Sequence, residues 1–277
     1  MAAPSWADDG RPRPIPKGAV AWKPVARIDG DRLHEPSGIV ASRRRPGHYW
    51  THGDSGNEPT LFAVNTNGHV VAEVPVANAP NIDWEDIAAD DAGHLYIGDI
   101  GNNLGILPIR YVYQVDEPDP LDPPKAPITP RTFWRFKYPK GAPKVNFESL
   151  AWRAGKLYII AREMTGSSTL YEIVPGENNN AKLQPAAALS VPGASAIDFS
   201  ADGTRLAVCS TSMLWVFPIT ERDGKLVTDT PKIVRFPLTR TLEGCCFTDD
   251  GVLMVDEERS LYRVSDKQIQ AQTLFVP

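Results

Sequence analysis

The chain has 277 residues, 42% of them hydrophobic, with a net charge of −5 and an isoelectric point near 5.6. That is enough apolar material for a globular core, while the acidic balance argues against a surface built to neutralise nucleic-acid phosphates. No stretch approaches the run of about 20 apolar residues that a membrane helix needs, so no membrane partner is expected.

The 26 prolines and 21 glycines suit many short strands joined by turns, not long helices. Residues 1–20 form a polar, proline-rich lead-in. The start, Met1-Ala2-Ala3-Pro4-Ser5-Trp6, has neither a basic n-region nor an apolar h-region and is not an intact secretory signal. A secreted or periplasmic location is the expectation if a signal has been removed ahead of it.

From residue 21 to 277 the chain reads as a single domain. A strand near Trp22 to Ile28 comes first and could close a ring beside the last module. A module then recurs, and internal repeats of this length signal repeat architectures. The first copy runs Ser37-Gly38-Ile39-Val40, Tyr49-Trp50-Thr51-His52, Leu61-Phe62-Ala63-Val64. The second runs Glu85-Asp86-Ile87-Ala88, Leu95-Tyr96-Ile97-Gly98, Tyr111-Val112-Tyr113. The third runs Glu148-Ser149-Leu150-Ala151, Leu157-Tyr158-Ile159-Ile160, Leu170-Tyr171-Glu172-Ile173. The fourth runs Ala196-Ile197-Asp198-Phe199, Leu206-Ala207-Val208, Leu214-Trp215-Val216-Phe217. The fifth runs Gly244-Cys245-Cys246-Phe247, Leu253-Met254-Val255, Leu261-Tyr262-Arg263-Val264.

A further strand is expected after each copy: 70–76, 132–138, 182–191, 232–238 and 269–276. Four strands per module make one propeller blade, so the expected fold is all-β, a five-bladed β-propeller of four-stranded antiparallel blades around a central channel. The copies start 48, 47 and 48 residues apart between positions 37 and 85, 148 and 195, and 195 and 243; between 85 and 148 the interval is 63. The excess is a proline-rich insertion at 117–130, which cannot sit in a central strand and reads as a rigid extended loop of the second blade.

The first strand of each blade lines the channel, so equivalent starting residues converge on the axis. These are Ser37, Glu85, Glu148, Ser195 and Glu243. Three glutamates brought together cannot all stay ionised without a counter-charge. A hard divalent cation supplies one, and Ca²⁺ takes carboxylate, hydroxyl, carbonyl and water oxygens. Mg²⁺ fits less well, because it demands tight octahedral geometry, and Zn²⁺ lacks its His or Cys ligands. The plainer alternative is that the acids are solvated strand-start residues.

The loops between second and third strands lie on the same face and form a mostly acidic mouth. They are 52–58, 98–103, 161–166, 209–212 and 256–259. Within them Asp54, Glu163 and Asp256 are candidate general bases and Arg162 a candidate clamp for a phosphate or carboxylate. Arg162 could equally be a structural partner of Glu163 or Glu148. Ser55, His52 and Asp54 are too close in sequence to form a nucleophile–base–orienter triad. Cys209, Cys245 and Cys246 offer no metal spacing and read as buried free thiols. Arg43-Arg44-Arg45 reads as a solvated hairpin tip.

Two resemblances attach to these motifs. Trp50-Thr51-His52-Gly53-Asp54-Ser55-Gly56, Asp83-Trp84-Glu85-Asp86-Ile87-Ala88 and Tyr96-Ile97-Gly98-Asp99-Ile100-Gly101-Asn102-Asn103 resemble a largely uncharacterised group of bacterial propeller proteins with NDSG, DWEDIA and YIGDIGDN runs. The Ser, Glu, Glu, Ser, Glu order on successive inner strands is similar to the central Ca²⁺ site of the calcium-activated nucleotidase (apyrase) family, a five-bladed propeller. That second likeness implies a Ca²⁺ site and the blade number, and covers only the strand starts. The expected function is therefore a monomeric calcium-binding propeller whose acidic mouth takes a small polar ligand or a protein partner. The alternatives are a Ca²⁺-dependent hydrolase of a phosphate or other ester, and a lectin-like sugar binder. The mouth loops differ too much from blade to blade for a repeated sugar pocket.

Overall fold

Short runs of Val, Ile, Leu, Tyr and Phe, broken by Gly, Pro, Asn and Asp, favour strands over helices. The computed structural model describes residues 23–102, 105, 107–138, 146–164, 166–236 and 241–272, and nearly all of its regular structure is strand. The lead-in 1–20, Trp22 and residues 273–277 lie outside the described residues.

After β1 (Ala26–Arg27), the first blade comprises β2 (Pro36–Ala41), β3 (His48–Gly53), β4 (Thr60–Asn65) and β5 (Val70–Pro75). The second comprises β6 (Trp84–Ala89), β7 (His94–Asp99), β8 (Arg110–Asp116) and β9 (Thr132–Phe136). The third comprises β10 (Asn146–Arg153), β11 (Lys156–Arg162), β12 (Ser168–Pro175) and β13 (Ala181–Leu189). In the fourth, β14 (Ala194–Phe199) and β15 (Arg205–Ser210) are followed by the long β16 (Met213–Arg222), which pairs β17 (Lys225–Thr228) with its far half and β18 (Lys232–Arg235) with its near half. The fifth comprises β19 (Leu242–Thr248), β20 (Gly251–Asp256) and β21 (Ser260–Ser265). All these pairings are antiparallel, and the five sheets form a five-bladed propeller.

The fifth blade takes its outer strand from the other end of the chain. β1 pairs with β21, and its flanks bond as well: Val25 N donates to Leu261 O at 2.8 Å and Ile28 N to Arg259 O at 2.8 Å. This corrects the expected strand at 269–276 over its described part, 269–272. Ile269 instead lies in the short helix α1 (Asp266–Gln270), started by a capping box between Ser265 and Gln268. A Ser–x–x–Gln pair at the strand end satisfies the first helical amides and stops the sheet there.

Strands buried on both faces make the core a set of inter-blade layers. Trp50, Leu61, Val74, Trp84, Ile87 and Ile97 fill the gap between blades one and two. Ile28, Leu33, Ile39, Val64, Val255 and Leu261 fill the closing gap between five and one. Cys209 and Cys245 sit in the layer between four and five, and Cys246 in the closing layer; all three are free and buried. Among the described residues no helix is long and apolar enough to cross a membrane.

The insertion leaves β8 and crosses to the first blade. Ile128 pairs with Val76 just beyond β5. At the start of the insertion, Glu117 is 1% exposed and its carboxylate accepts bonds from Ser42 Oγ (2.5 Å), Arg43 N (3.1 Å) and Trp50 Nε1 (3.1 Å). Arg44 donates to Glu117 O, and Arg45 pairs with Asp119. The arginine run is thus exposed, as a hairpin tip should be, and also fastened to the insertion. Removing a buried acceptor leaves its donors unsatisfied. Glu117→Ala is expected to lower unfolding free energy by about 2–3 kcal/mol in urea titrations.

Candidate metal centre

Each inner strand starts with a break in register. The pairing skips Gly38 between Ser37 and Ile39, Glu85 between Trp84 and Asp86, Glu148 and Ser149 between Phe147 and Leu150, Ser195 between Ala194 and Ala196, and Glu243 between Leu242 and Gly244. A bulge leaves a residue out of the ladder and re-aims its side chain. Here it does so at the same place in all five blades, at or beside each residue of the expected ring.

The inner strands are tied to one another at this level. Ser37 Oγ donates to Glu85 O at 2.6 Å, and Ser195 Oγ donates to Leu242 O. Asp86 accepts from Leu150 N at 2.8 Å and Asp198 from Phe247 N at 2.8 Å. Burial pushes Asp86 well above the usual carboxylate range and Asp198 to about 6. Gly38, at φ +75°, permits a close approach: a Cβ there would fall 2.8 Å from Asp86 Cα.

Above these ties is a cavity of about 140 Å³ lined by Ser37, Glu35, Asp54, Glu85, Glu148, Glu243, Glu257 and Arg162. Six carboxylates thus face one guanidinium. Burial and then Glu148 push Glu243 up to about 8. Burial, then the neighbouring acids Glu148, Asp54 and Asp83, holds Glu85 well above its ordinary value. Burial is also the main reason Asp54 stands at about 6, with Asp83 and Glu35 adding to it. Glu148 is raised by burial against the opposing pull of Arg162, which donates to its Oε2, while Asn146 Nδ2 donates to its Oε1 at 2.8 Å.

Asp54 and Glu85 on the cavity wall form a group with Asp83, each offering one carboxylate oxygen, and these oxygens lie within 4.8 Å of one another. Asp54 comes from the loop after β3, Glu85 from the start of β6 and Asp83 from just before it. Asp54 begins the loop after β3, where its backbone N donates to Glu35 O (3.0 Å) and its carbonyl accepts from Asn81 Nδ2 (2.9 Å). Asp83 N donates to Asp99 Oδ1 at 2.7 Å. Glu85 Oε1 is buried and has no hydrogen-bond partner. Gly101 is the reason the pair fits: a Cβ there would collide with Glu85 Oε1 and the Asp83 carboxylate. A buried acidic cluster able to coordinate a metal ion is therefore present. An orphaned carboxylate oxygen beside two more carboxylates fits a cation, and the all-oxygen donor set fits a hard one.

Of the expected ring, Ser37, Glu85, Glu148 and Glu243 line this cavity; Ser195 does not, and its hydroxyl is spent on the bond to Leu242 O. Of the mouth candidates, Asp54 and Arg162 line it, and Arg162 is engaged with Glu148. Glu163 is half-buried beside it, its carbonyl accepting from Gly193 N at 2.7 Å. Asp256 is fully buried and accepts from Glu258 N, Ser260 N and Tyr262 Oη, which shapes the turn between β20 and β21. His52 is buried edge-on against Trp84, and burial lowers it to about 4. Sequence reasoning missed Asp83 and Glu35. A signal existed: each stands two residues before a ring position, Glu35 before Ser37 and Asp83 before Glu85, as Asn146 stands before Glu148.

No family model matches the chain, and no curated protein matches it. Among solved structures, it is similar to a chain of a nidogen/laminin complex (12% identity, TM-score 0.51, covering 88% of this chain and 81% of that one). It is also similar to a functionally unknown protein from Desulfotomaculum acetoxidans (14%, TM-score 0.46, 84% and 69%) and to a putative oxidoreductase (glucose dehydrogenase) from Thermus thermophilus (12%, TM-score 0.47, 87% and 98%). At such identities the likeness is one of fold.

The raised acids have a consequence for stability. Glu243 at about 8 and Asp54 at about 6 stand above the roughly 4 of the same carboxyls in an unfolded chain. The folded state then holds more protons than the unfolded one between those values. The stability these groups contribute is complete below about pH 4 and is lost as pH rises through about 6 and then about 8. In buffer free of divalent cations, the melting temperature is expected to fall from about pH 5 to about pH 9, and Glu243→Gln to flatten the upper part of that fall. A melting temperature that rises across this range in the unsubstituted protein would contradict the assignment.

Proposed function

We propose that the protein is a calcium-binding propeller, whose axial acids hold one Ca²⁺ and whose mouth offers that ion to a small polar ligand or a protein partner. The observation that carries this reading is the Asp54–Asp83–Glu85 cluster, with its oxygens within 4.8 Å and one of them buried without a partner. Glu148, Glu243 and Ser37 stand around the same cavity and would supply further oxygens, in keeping with the six to eight that Ca²⁺ takes. A bound cation would also offset the burial and mutual repulsion that raise Glu85 and Glu243 above their ordinary values. The absence of His and Cys from the lining set disfavours Zn²⁺. Export from the cytoplasm and a monomeric state belong to the same reading.

Binding is favoured over catalysis because the one guanidinium on the cavity wall is already paired with Glu148, leaving no evident clamp for a polyphosphate. The second reading is a Ca²⁺-dependent hydrolase of a phosphate or other ester. Asp54 is its candidate general base, because it lines the cavity next to where the ion would sit, and the bound ion would supply Lewis acidity.

Metal analysis and calorimetric titration of metal-stripped protein test the first reading. One Ca²⁺ per chain is expected, with a raised melting temperature and a weaker response to Mg²⁺. Asp83→Asn and Glu85→Gln should each lower Ca²⁺ affinity at least about tenfold, an order of magnitude that corresponds to losing one charged ligand, while Glu163→Gln leaves it unchanged. Absence of both Ca²⁺ uptake and a thermal shift would sink the proposal. Turnover of a phosphate or carboxyl ester by the Ca²⁺-loaded protein, lost in Asp54→Asn while Ca²⁺ uptake is retained, would establish the second reading.

A further inference from the structure

Residues paired across neighbouring strands share a face, so each gap between blades is filled by rows of side chains, one residue per strand. In the fourth blade Ala196 pairs with Cys209 and Cys209 with Leu214. In the fifth Cys245 pairs with Met254 and Met254 with Tyr262. Every member of both rows is buried in the layer between these two blades, so the rows face each other. The ties between the inner strands set their relative height. Ser195 Oγ donates to Leu242 O, and Phe247 N donates to Asp198 Oδ2 at 2.8 Å. The stretch from Ser195 to Asp198 therefore runs alongside that from Leu242 to Phe247, with Ala196 in the first and Cys245 in the second. The small Ala196 side chain leaves Cys245 room to reach the next member of the row. β15 packs against β19, and the Cys245 and Cys209 thiols are hydrogen-bonded to each other. Cys246 points the other way, into the layer that the fifth blade shares with the first.

We propose that Cys209 and Cys245 are a modification site: a disulfide forms between them, joining the fourth blade to the fifth, when the protein folds in the presence of a disulfide oxidant, and Cys246 stays a free thiol. One cysteine, as thiolate, attacks the oxidant disulfide and expels a thiol; the second attacks the resulting mixed disulfide and expels the other thiol. The two cysteines give up two electrons and two protons, and the oxidant leaves as two thiols. In the folded protein Cys209 is wholly buried and Cys245 is 1% exposed. The bond to Cys209 and burial also hold the Cys245 thiol well above its ordinary range. Thiols so placed are inert, so exchange belongs to folding, before the layer between the blades closes. The site stands apart from the calcium reading.

Oxidative refolding of the full chain tests it. Reduced protein unfolded in urea is diluted into a mixture of oxidised and reduced glutathione, or into reductant alone. Free thiols are then counted with Ellman's reagent in denaturant, after removal of small thiols. Of the three cysteines, one is expected to remain free after the glutathione mixture and all three after reductant alone. A non-reducing digest should contain one peptide pair, joining Cys209 to Cys245. Cys246→Ala should keep that pair and show no free thiol, while Cys209→Ser should show two free thiols and no pair. Folded reduced protein placed in the same glutathione mixture should keep all three thiols; oxidation as fast as in the refolding chain would overturn the assignment to folding. The disulfide itself is ruled out if three thiols remain free after oxidative refolding, if Cys246 is found paired with either of the others, or if glutathione stays attached in place of the link.

Discussion

Repulsion between carboxylates at the propeller axis is the constraint on which the rest of this structure turns. Glu85, Glu148 and Glu243 come from three different blades, and Asp54 and Glu35 from a fourth, yet they share one cavity of about 140 Å³. Buried like charges are tolerated only if they are neutralised, by protons, by a cation or by a paired base. The molecule shows two of these solutions. Arg162 neutralises Glu148, and proton uptake is favoured at Glu243 and Asp54. A hard divalent cation at Asp54, Asp83 and Glu85 would be the third.

Such a cluster persists only in a frame that does not yield. The ring supplies it through short bonds from one inner strand to the next: Ser37 to Glu85, Leu150 to Asp86, Ser195 to Leu242 and Phe247 to Asp198. Two longer-range devices close the circle. β1 completes the fifth blade, so the two ends of the described chain are joined through sheet hydrogen bonds. The insertion after β8 straps the second blade to the first through Glu117. A blade that could drift outward would relieve the acids by separating them; these ties oppose that motion.

Periodicity made the fold legible from sequence. The spacing of Ser37, Glu85, Glu148, Ser195 and Glu243, 47 or 48 residues except across the insertion between Glu85 and Glu148, follows from repeated blades, and a closed ring of blades must bring equivalent residues to one axis. The proline-rich interruption was equally visible, since proline cannot occupy a central strand. What sequence could not supply was the depth of each side chain. Ser37 and Ser195 share a repeat position, but only Ser37 lines the cavity; the bulge skips Gly38 in the first blade and Ser195 itself in the fourth, and bulges leave no mark in composition. Asp83 joins Glu85 through a turn fixed by Asp99 and a space left by Gly101; both depend on contacts between separate strands. Ile269 reads as strand by hydropathy, yet the outer place in its blade belongs to β1, from the opposite end of the chain. Repeats determine which residues can meet. Tertiary packing, through bulges, close glycine contacts and competition for strand edges, decided which of them do.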